Sequence, residues 1–522
     1  MARALIWSNR WLLLALAALT LLRLLVAAEA PLSPDEAYYW VWSRALAPGY
    51  LDHPPMVALW IRIGTFLVGD TALGVRLLGP LSVALASLLL ADAAERLLPR
   101  RDPGWREAGW RAAALLNATL LVGAGAVILT PDTPLLFFWT LALWALARIA
   151  TGGGGTWFAV LGLAAGLALA SKYTAILLGA GIGGWLLLTP SLRPWLARPA
   201  PWLGLAFAAA IFAPVILWNA EHGWAGFLKQ GGRVGSWAPS RAFTFLGELV
   251  GGQIGLATPL IFLFCAAGMG LAAKRAWRKR DPAWTLLAVL TLLPAGVFVQ
   301  HAIGDRVQGN WPAILYPAAA IAAAGLRGAF WHRLFRPALA LGFLLTFLVY
   351  LQATLAPFPL PAGIDPVTRQ LRGWPGLAAR IAAAAQLEGA AFVAADQYGI
   401  AAELARQPAI AIPVLATEAR WALFDLPAAA IDGRQGLLVR SLRRGEDVDT
   451  TPWAEIVEIG RVSRDNAGAA VEEYRLYRVR GHDLSRVRGR DLSRVRGREA
   501  GTPVVVLPRP LVAASAGRGA GG

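Results

Sequence analysis

Apolar runs of roughly 20 residues recur from Trp11 to about Leu355, each long enough to cross a bilayer as a helix. The pattern predicts eleven spans, at about 11–28, 72–94, 112–129, 134–150, 156–170, 173–188, 202–218, 244–271, 284–300, 312–326 and 337–355. The fifth and sixth are short and flank Ser171-Lys172-Tyr173-Thr174, so they also read as two half-helices. Near residue 356 the pattern changes. Ala391–Ala395 reads as a short buried strand, Tyr398–Arg406 as a helix, and Ile456–Val462 and Glu472–Arg478 as strands of period two. The predicted organisation is a polytopic all-α membrane domain over 1–355 with interfacial helices in its outer loops. A small α/β domain outside the membrane follows over 356–477, then a tail over 478–522. In that tail Arg-Val-Arg-Gly recurs at 478–481, 486–489 and 494–497, a low-complexity composition that predicts disorder.

Composition sharpens the class. Of 522 residues, 57% are hydrophobic and only 16% are charged, well below the charged share of a soluble protein. The net charge of +17 would suit a nucleic-acid partner, but the basic residues lie between the apolar runs and in the tail. They therefore read as topology determinants, and no nucleic-acid partner is expected. Alternate loops carry 18 and 7 lysines and arginines, which predicts a cytoplasmic N-terminus. With eleven spans the chain beyond residue 356 then lies outside. The first run lacks a convincing cleavage site and is read as an uncleaved span rather than a signal peptide. With Cys265 the single cysteine, no disulfide can form within the chain.

Chemistry gathers in one set of loops, those predicted to face outward. Asp35-Glu36 follows the first span and precedes Ala-Tyr-Tyr-Trp-Val-Trp-Ser, an amphipathic helix suited to the membrane interface, which Ser33 or Asp35 can cap. A cap explains one carboxylate and leaves the other for catalysis. Asp52 and His53 come next. Asp132 stands at a turn between two spans, where it reads as a catalytic acid or as a helix cap. Lys172, between two short apolar helices, is expensive at membrane depth unless it meets a partner, water or an anion. It reads either as a phosphate ligand or as a lysine reaching for the interface. Asn219, Glu221, His222, Arg233 and Asn310 line the remaining outer loops and have the chemistry to read a sugar or a phosphate. No metal-ligand spacing joins the histidines, and no phosphate-binding loop or nucleotide fingerprint occurs in a fitting context.

The ordered set Pro-Asp-Glu-Ala-Tyr-Tyr-Trp (34–40), Asp-His-Pro-Pro (52–55), Pro-Asp-x-Pro-Leu-Leu-Phe-Phe-Trp (131–139), Ser-Lys-Tyr-Thr (171–174), Trp-Asn-Ala-Glu-His-Gly-Trp (218–224) and Gly-Asn-Trp-Pro (309–312) resembles the bacterial branch of glycosyltransferase family 39. That family is related to dolichyl-phosphate-mannose protein mannosyltransferases and to the lipid A aminoarabinose transferase. The resemblance runs from about residue 8 to about 410. It implies a GT-C fold and an inverting transfer of a sugar from a polyprenyl-phosphate-linked donor to a lipid, glycan or protein acceptor. The expected location is the periplasmic face of the bacterial inner membrane. It also implies that the family's catalytic acid falls on Asp35, with Glu36 beside it, that the second-loop acid falls on Asp132 and that a phosphate-side lysine falls on Lys172. It leaves a divalent metal open, because metal dependence varies among relatives. The competing class is a transporter or flippase of a lipid-linked saccharide, which predicts internal repeats that the spans do not display.

Overall fold

The computed structural model describes residues 10–98, 108–235, 239–361, 363–445, 448–482 and 504–510. The chain is a multi-pass membrane protein. Among the described residues seven helices are long and apolar enough to cross a membrane, and up to nine spans result if each of two sharply bent pairs counts as one. The other two of the eleven predicted segments are the short helices Trp157–Leu169 and Trp311–Ala324. The predicted run 244–271 is broken into Ala242–Ala257 and Pro259–Lys279. Pro259 has no amide hydrogen to continue a helix, and Thr258 is turned to φ +67°. Of the predicted repeat tail, most lies outside the described residues.

The chain divides into two compact units, Met1–Ala27, Pro48–Val57 and Arg76–Tyr350 in the first, and Ala28–Ala47, Ala58–Val75 and Leu351–Gly522 in the second. The first is a helical bundle. Its helices approach closely where side chains are small. Gly162 and Gly166 on Trp157–Leu169 meet Gly204 and Ala208 on Pro199–Glu221, and a Cβ on Gly162 would fall 2.3 Å from the Gly204 carbonyl oxygen. This small-x-x-x-small crossing suits helices in lipid, where close van der Waals packing replaces the hydrophobic effect. One bent pair, Ala108–Asn117 and Leu120–Val127, turns by 70°. Thr119 caps the new helix by accepting from the Val122 amide at 3.1 Å. The buried Arg23 donates to Asn117 at 2.8 Å beside this bend.

The second unit is built on a six-stranded sheet of order β4-β5-β3-β1-β2-β6. Its strands are β1 (Val393–Ala395), β2 (Val414–Ala416), β3 (Gln435–Ser441), β4 (Trp453–Asn466), β5 (Ala469–Gly481) and β6 (Val505–Val506). β1 runs parallel to β2 and β3, and the other pairings are antiparallel. β4 and β5 form a hairpin closed by Ala467 and Gly468, both at positive φ as a tight right-twisting turn requires. The helix Pro34–Arg44 belongs to this unit. It is not the interfacial helix its pattern predicts, because every residue from Glu36 to Ser43 is buried. Its apolar rings instead pack within the protein. Tyr38 meets Tyr398, Trp421 and Phe424 with ring centroids 4.5, 5.4 and 6.2 Å away.

Candidate active site

In the second unit, Ser33 and Glu36 close a reciprocal cap at the start of Pro34–Arg44. The Glu36 amide donates to Ser33 Oγ at 3.3 Å, and the Ser33 amide donates to Glu36 Oε2 at 3.0 Å. Glu36 is fully buried by this arrangement. Its candidacy as a catalytic acid therefore gives way to a structural assignment, for which the spacing Ser-x-x-Glu was a local signal. Asp35 lies on the other side of the helix start and is exposed. Its Oδ1 accepts from the Tyr398 hydroxyl at 3.0 Å, and the Arg420 guanidinium lies 4.1 Å from the Tyr398 ring centroid. A cation over the ring makes the phenol a better donor and orients the carboxylate. Nothing in the spacing of residues 35 and 398 pointed to Tyr398. Asp35 and Tyr398 line a polar cavity of about 410 Å³ within this unit.

In the first unit, Asp132 opens the helix Asp132–Ala150 and Lys172 stands between Trp157–Leu169 and Ile176–Leu188. Lys172 is buried, and its Nζ donates to both oxygens of Asp132, at 2.7 and 2.9 Å. Asn310 donates to Asp132 Oδ2 at 2.6 Å. The partner that a lysine in this setting requires is thus a carboxylate. Asp132 is not the helix cap its position suggested, since it is the first helical residue after Pro131 and no side chain caps this helix start; its carboxylate is instead occupied by Lys172 and Asn310. Lys172 also lines a cavity of about 240 Å³ together with the polar His53, Gln230 and His301 and the apolar Ile176, Leu177, Val297 and Phe298. A cation beside an apolar chamber suits a ligand with an anionic head and a hydrocarbon tail.

The remaining predicted residues are not all drawn to this chamber. Asp52 approaches Lys229 at 3.7 Å, and its carbonyl accepts from Gln230 at 2.6 Å, which fixes the loop carrying His53. Asn219 is not a reader of substrate but a fully buried tie. Its Nδ2 donates to Val215 O at 2.9 Å and to Tyr173 Oη at 3.3 Å, and its Oδ1 accepts from the Phe227 amide. His222 stacks on Trp218 at 4.3 Å, one turn along the same helix, with Nδ1 2.7 Å from the Trp218 carbonyl oxygen. Glu221 is the exposed last residue of Pro199–Glu221. Arg233 lies on the helix Ala225–Gly235, with its side chain outside the described residues. Among the described residues no three His, Cys, Asp or Glu side chains are grouped to hold a metal ion, so no step is assigned to one.

Residues 52–218 match the family described as dolichyl-phosphate-mannose-protein mannosyltransferase. The chain is 29% identical over 380 residues to the lipid A galacturonosyltransferase RgtD of Rhizobium johnstonii, covering 71% of this chain and 76% of that protein. Its fold is similar to that of ArnT from Cupriavidus metallidurans bound to undecaprenyl phosphate, with a TM-score of 0.57 at 16% identity over 90% of this chain and 98% of that one. The apo form of the same ArnT gives 0.56 over the same shares.

Proposed function

We propose that the chain belongs to glycosyltransferase family 39 within the GT-C superfamily and is an inverting transferase acting on the periplasmic face of the bacterial inner membrane, a reading supported by the family match over residues 52–218, the relative RgtD and the ArnT-like fold. The donor is a sugar on a polyprenyl phosphate. The acceptor oxygen attacks the anomeric carbon, the bond from that carbon to the phosphate oxygen breaks, and the acceptor's proton passes to the Asp35 carboxylate. The polyprenyl phosphate departs with its negative charge. A sugar activated in this way needs no nucleotide site, only a base and a cation for the leaving group.

The observation that carries this reading is Lys172, buried, held by Asp132, which Asn310 in turn fixes, and lining a largely apolar chamber. Fixed donors beside the departing phosphate stabilise the charge that develops there without reorganising during the reaction. The relative RgtD acts on lipid A, which makes a lipid A-type acceptor the first to test. The test is transfer by purified protein from synthetic undecaprenyl-phosphate galacturonate to lipid A, with product followed by mass spectrometry. Release of undecaprenyl phosphate together with a glycosylated acceptor of inverted configuration is the expected result. Movement of the intact donor across proteoliposomes with no product would sink the reading in favour of a flippase.

A further inference from the structure

The cavity that Asp35 lines in the second unit is bordered by four guanidinium groups, Arg369, Arg443, Arg444 and Arg464, against two carboxylates, Asp35 and Glu472. Arg464 and Glu472 serve the architecture. Arg464 is 2% exposed, donates to Glu472 at 2.9 Å and to the carbonyls of Arg372 and Arg369, and lies 4.2 Å from the Trp374 ring centroid. The other three arginines are less enclosed. Arg443 reaches Glu472 only at 3.6 Å and is 57% exposed. Arg444 donates to the Asp396 carbonyl oxygen and approaches the Asp396 and Glu418 carboxylates at 3.6 and 3.8 Å, yet is still 39% exposed. Arg369 has no acidic partner within salt-bridge distance among the described residues.

Scattered exposed arginines are ordinary surface. Here three border one concave chamber together with a carboxylate oriented by Tyr398. If Asp35 takes the acceptor's proton, the acceptor must enter this chamber, because a base acts only within hydrogen-bond reach. Arginine forks bind phosphate and carboxylate in paired hydrogen bonds, and such groups gathered on one cavity select for an oxyanion. We propose that the chamber receives a phosphate or carboxylate carried by the acceptor close to the hydroxyl that is glycosylated, with Arg443 and Arg444 as its main ligands and Arg369 as a third. This rests on the assignment of Asp35 as the base.

The experiment uses full-length protein in neutral phosphatidylcholine nanodiscs and measures equilibrium binding of bisphosphorylated and of dephosphorylated lipid A. The wild type should prefer the phosphorylated form by about tenfold or more, the loss expected when a charge-assisted hydrogen bond is removed. Arg443→Gln/Arg444→Gln should abolish the preference, and inorganic pyrophosphate should compete only against the wild type. Arg369→Gln alone should reduce the preference severalfold, which keeps the test decisive if the double variant does not fold. Asp35→Asn should retain the preference while losing transfer, so a failure of the base assignment is seen separately, as transfer that survives. Equal binding of the two lipids by the wild type would overturn the inference. So would a double variant that keeps the preference and instead raises the KM for the donor.

Discussion

Two adjacent carboxylates illustrate how much a helix start decides. Glu36 turns inward to close the cap with Ser33, whereas Asp35 turns outward to Tyr398, since neighbours on a helix do not share a face. Asp35→Asn should lower turnover by about 10²–10⁴-fold, the usual contribution of a general base, with an unchanged melting temperature. Glu36→Ala should do the reverse, costing about 1–3 kcal/mol of stability through the lost cap and its orphaned donors while the folded fraction keeps its turnover. Thermal melting and steady-state kinetics on both variants separate the two roles, and an active Asp35→Asn protein would refute the assignment. At Lys172 the expected defect lies in donor use. Lys172→Ala should raise the donor KM well above that of Lys172→Arg, which keeps the charge opposite Asp132 but changes its shape. Donor kinetics that are unaltered in the alanine variant would reduce Lys172 to a structural partner of Asp132.

Among elements, the crossing of Trp157–Leu169 with Pro199–Glu221 depends on missing side chains. A larger residue at Gly162 would meet the backbone of Gly204, which cannot give way as a flexible side chain would. Gly162→Val should therefore destabilise the protein by about 1–3 kcal/mol, as overpacking does, and lower its melting temperature in detergent. An unchanged melting temperature would mean that the two helices do not meet there. The β4–β5 hairpin makes a different prediction, one of pH. Burial pushes the Glu472 carboxyl up, but hydrogen bonds from Ser441 and Arg464 outweigh it and hold the group below its ordinary value. A depressed carboxylate contributes stability that is present above its unfolded value and lost as pH falls through the folded one. Asp396 has the opposite sign, raised chiefly by burial against the pull of Arg440 and Arg444, so the whole protein does not report Glu472 alone. Melting curves of wild type and Glu472→Gln should converge as pH falls below about 4.3. A gap that stays constant with pH would show that the carboxylate's charge is not what stabilises the hairpin.

For the whole molecule the testable quantity is topology. The excess of basic residues in one set of loops predicts that reporter fusions after residues 278 and 333 lie in the cytoplasm. Fusions after residues 230 and 430 should report the outer side. A cytoplasmic signal at 430 would mean that the number of crossings is even, with the error most readily placed at the bent and short helices between 157 and 197. By itself the sequence determined the membrane class, the family resemblance and the start of the helix Pro34–Arg44, because hydropathy, short motifs and capping are set by residues near one another in the chain. It also marked parts of β4 and β5, though β4 does not keep the alternation its pattern predicts, and it missed β3, since Gln435–Ser441 is buried along almost its whole length and shows no alternation. Only the tertiary structure decided that Lys172 is held by Asp132, 40 residues away, and by way of it Asn310, a further 178 from that aspartate. The same holds for the Tyr398 hydroxyl on Asp35, 363 residues distant, and for the arginines around that cavity. Hydrogen bonds and ion pairs reach only a few ångströms and carry no trace of sequence separation, so folding alone chooses which polar groups meet.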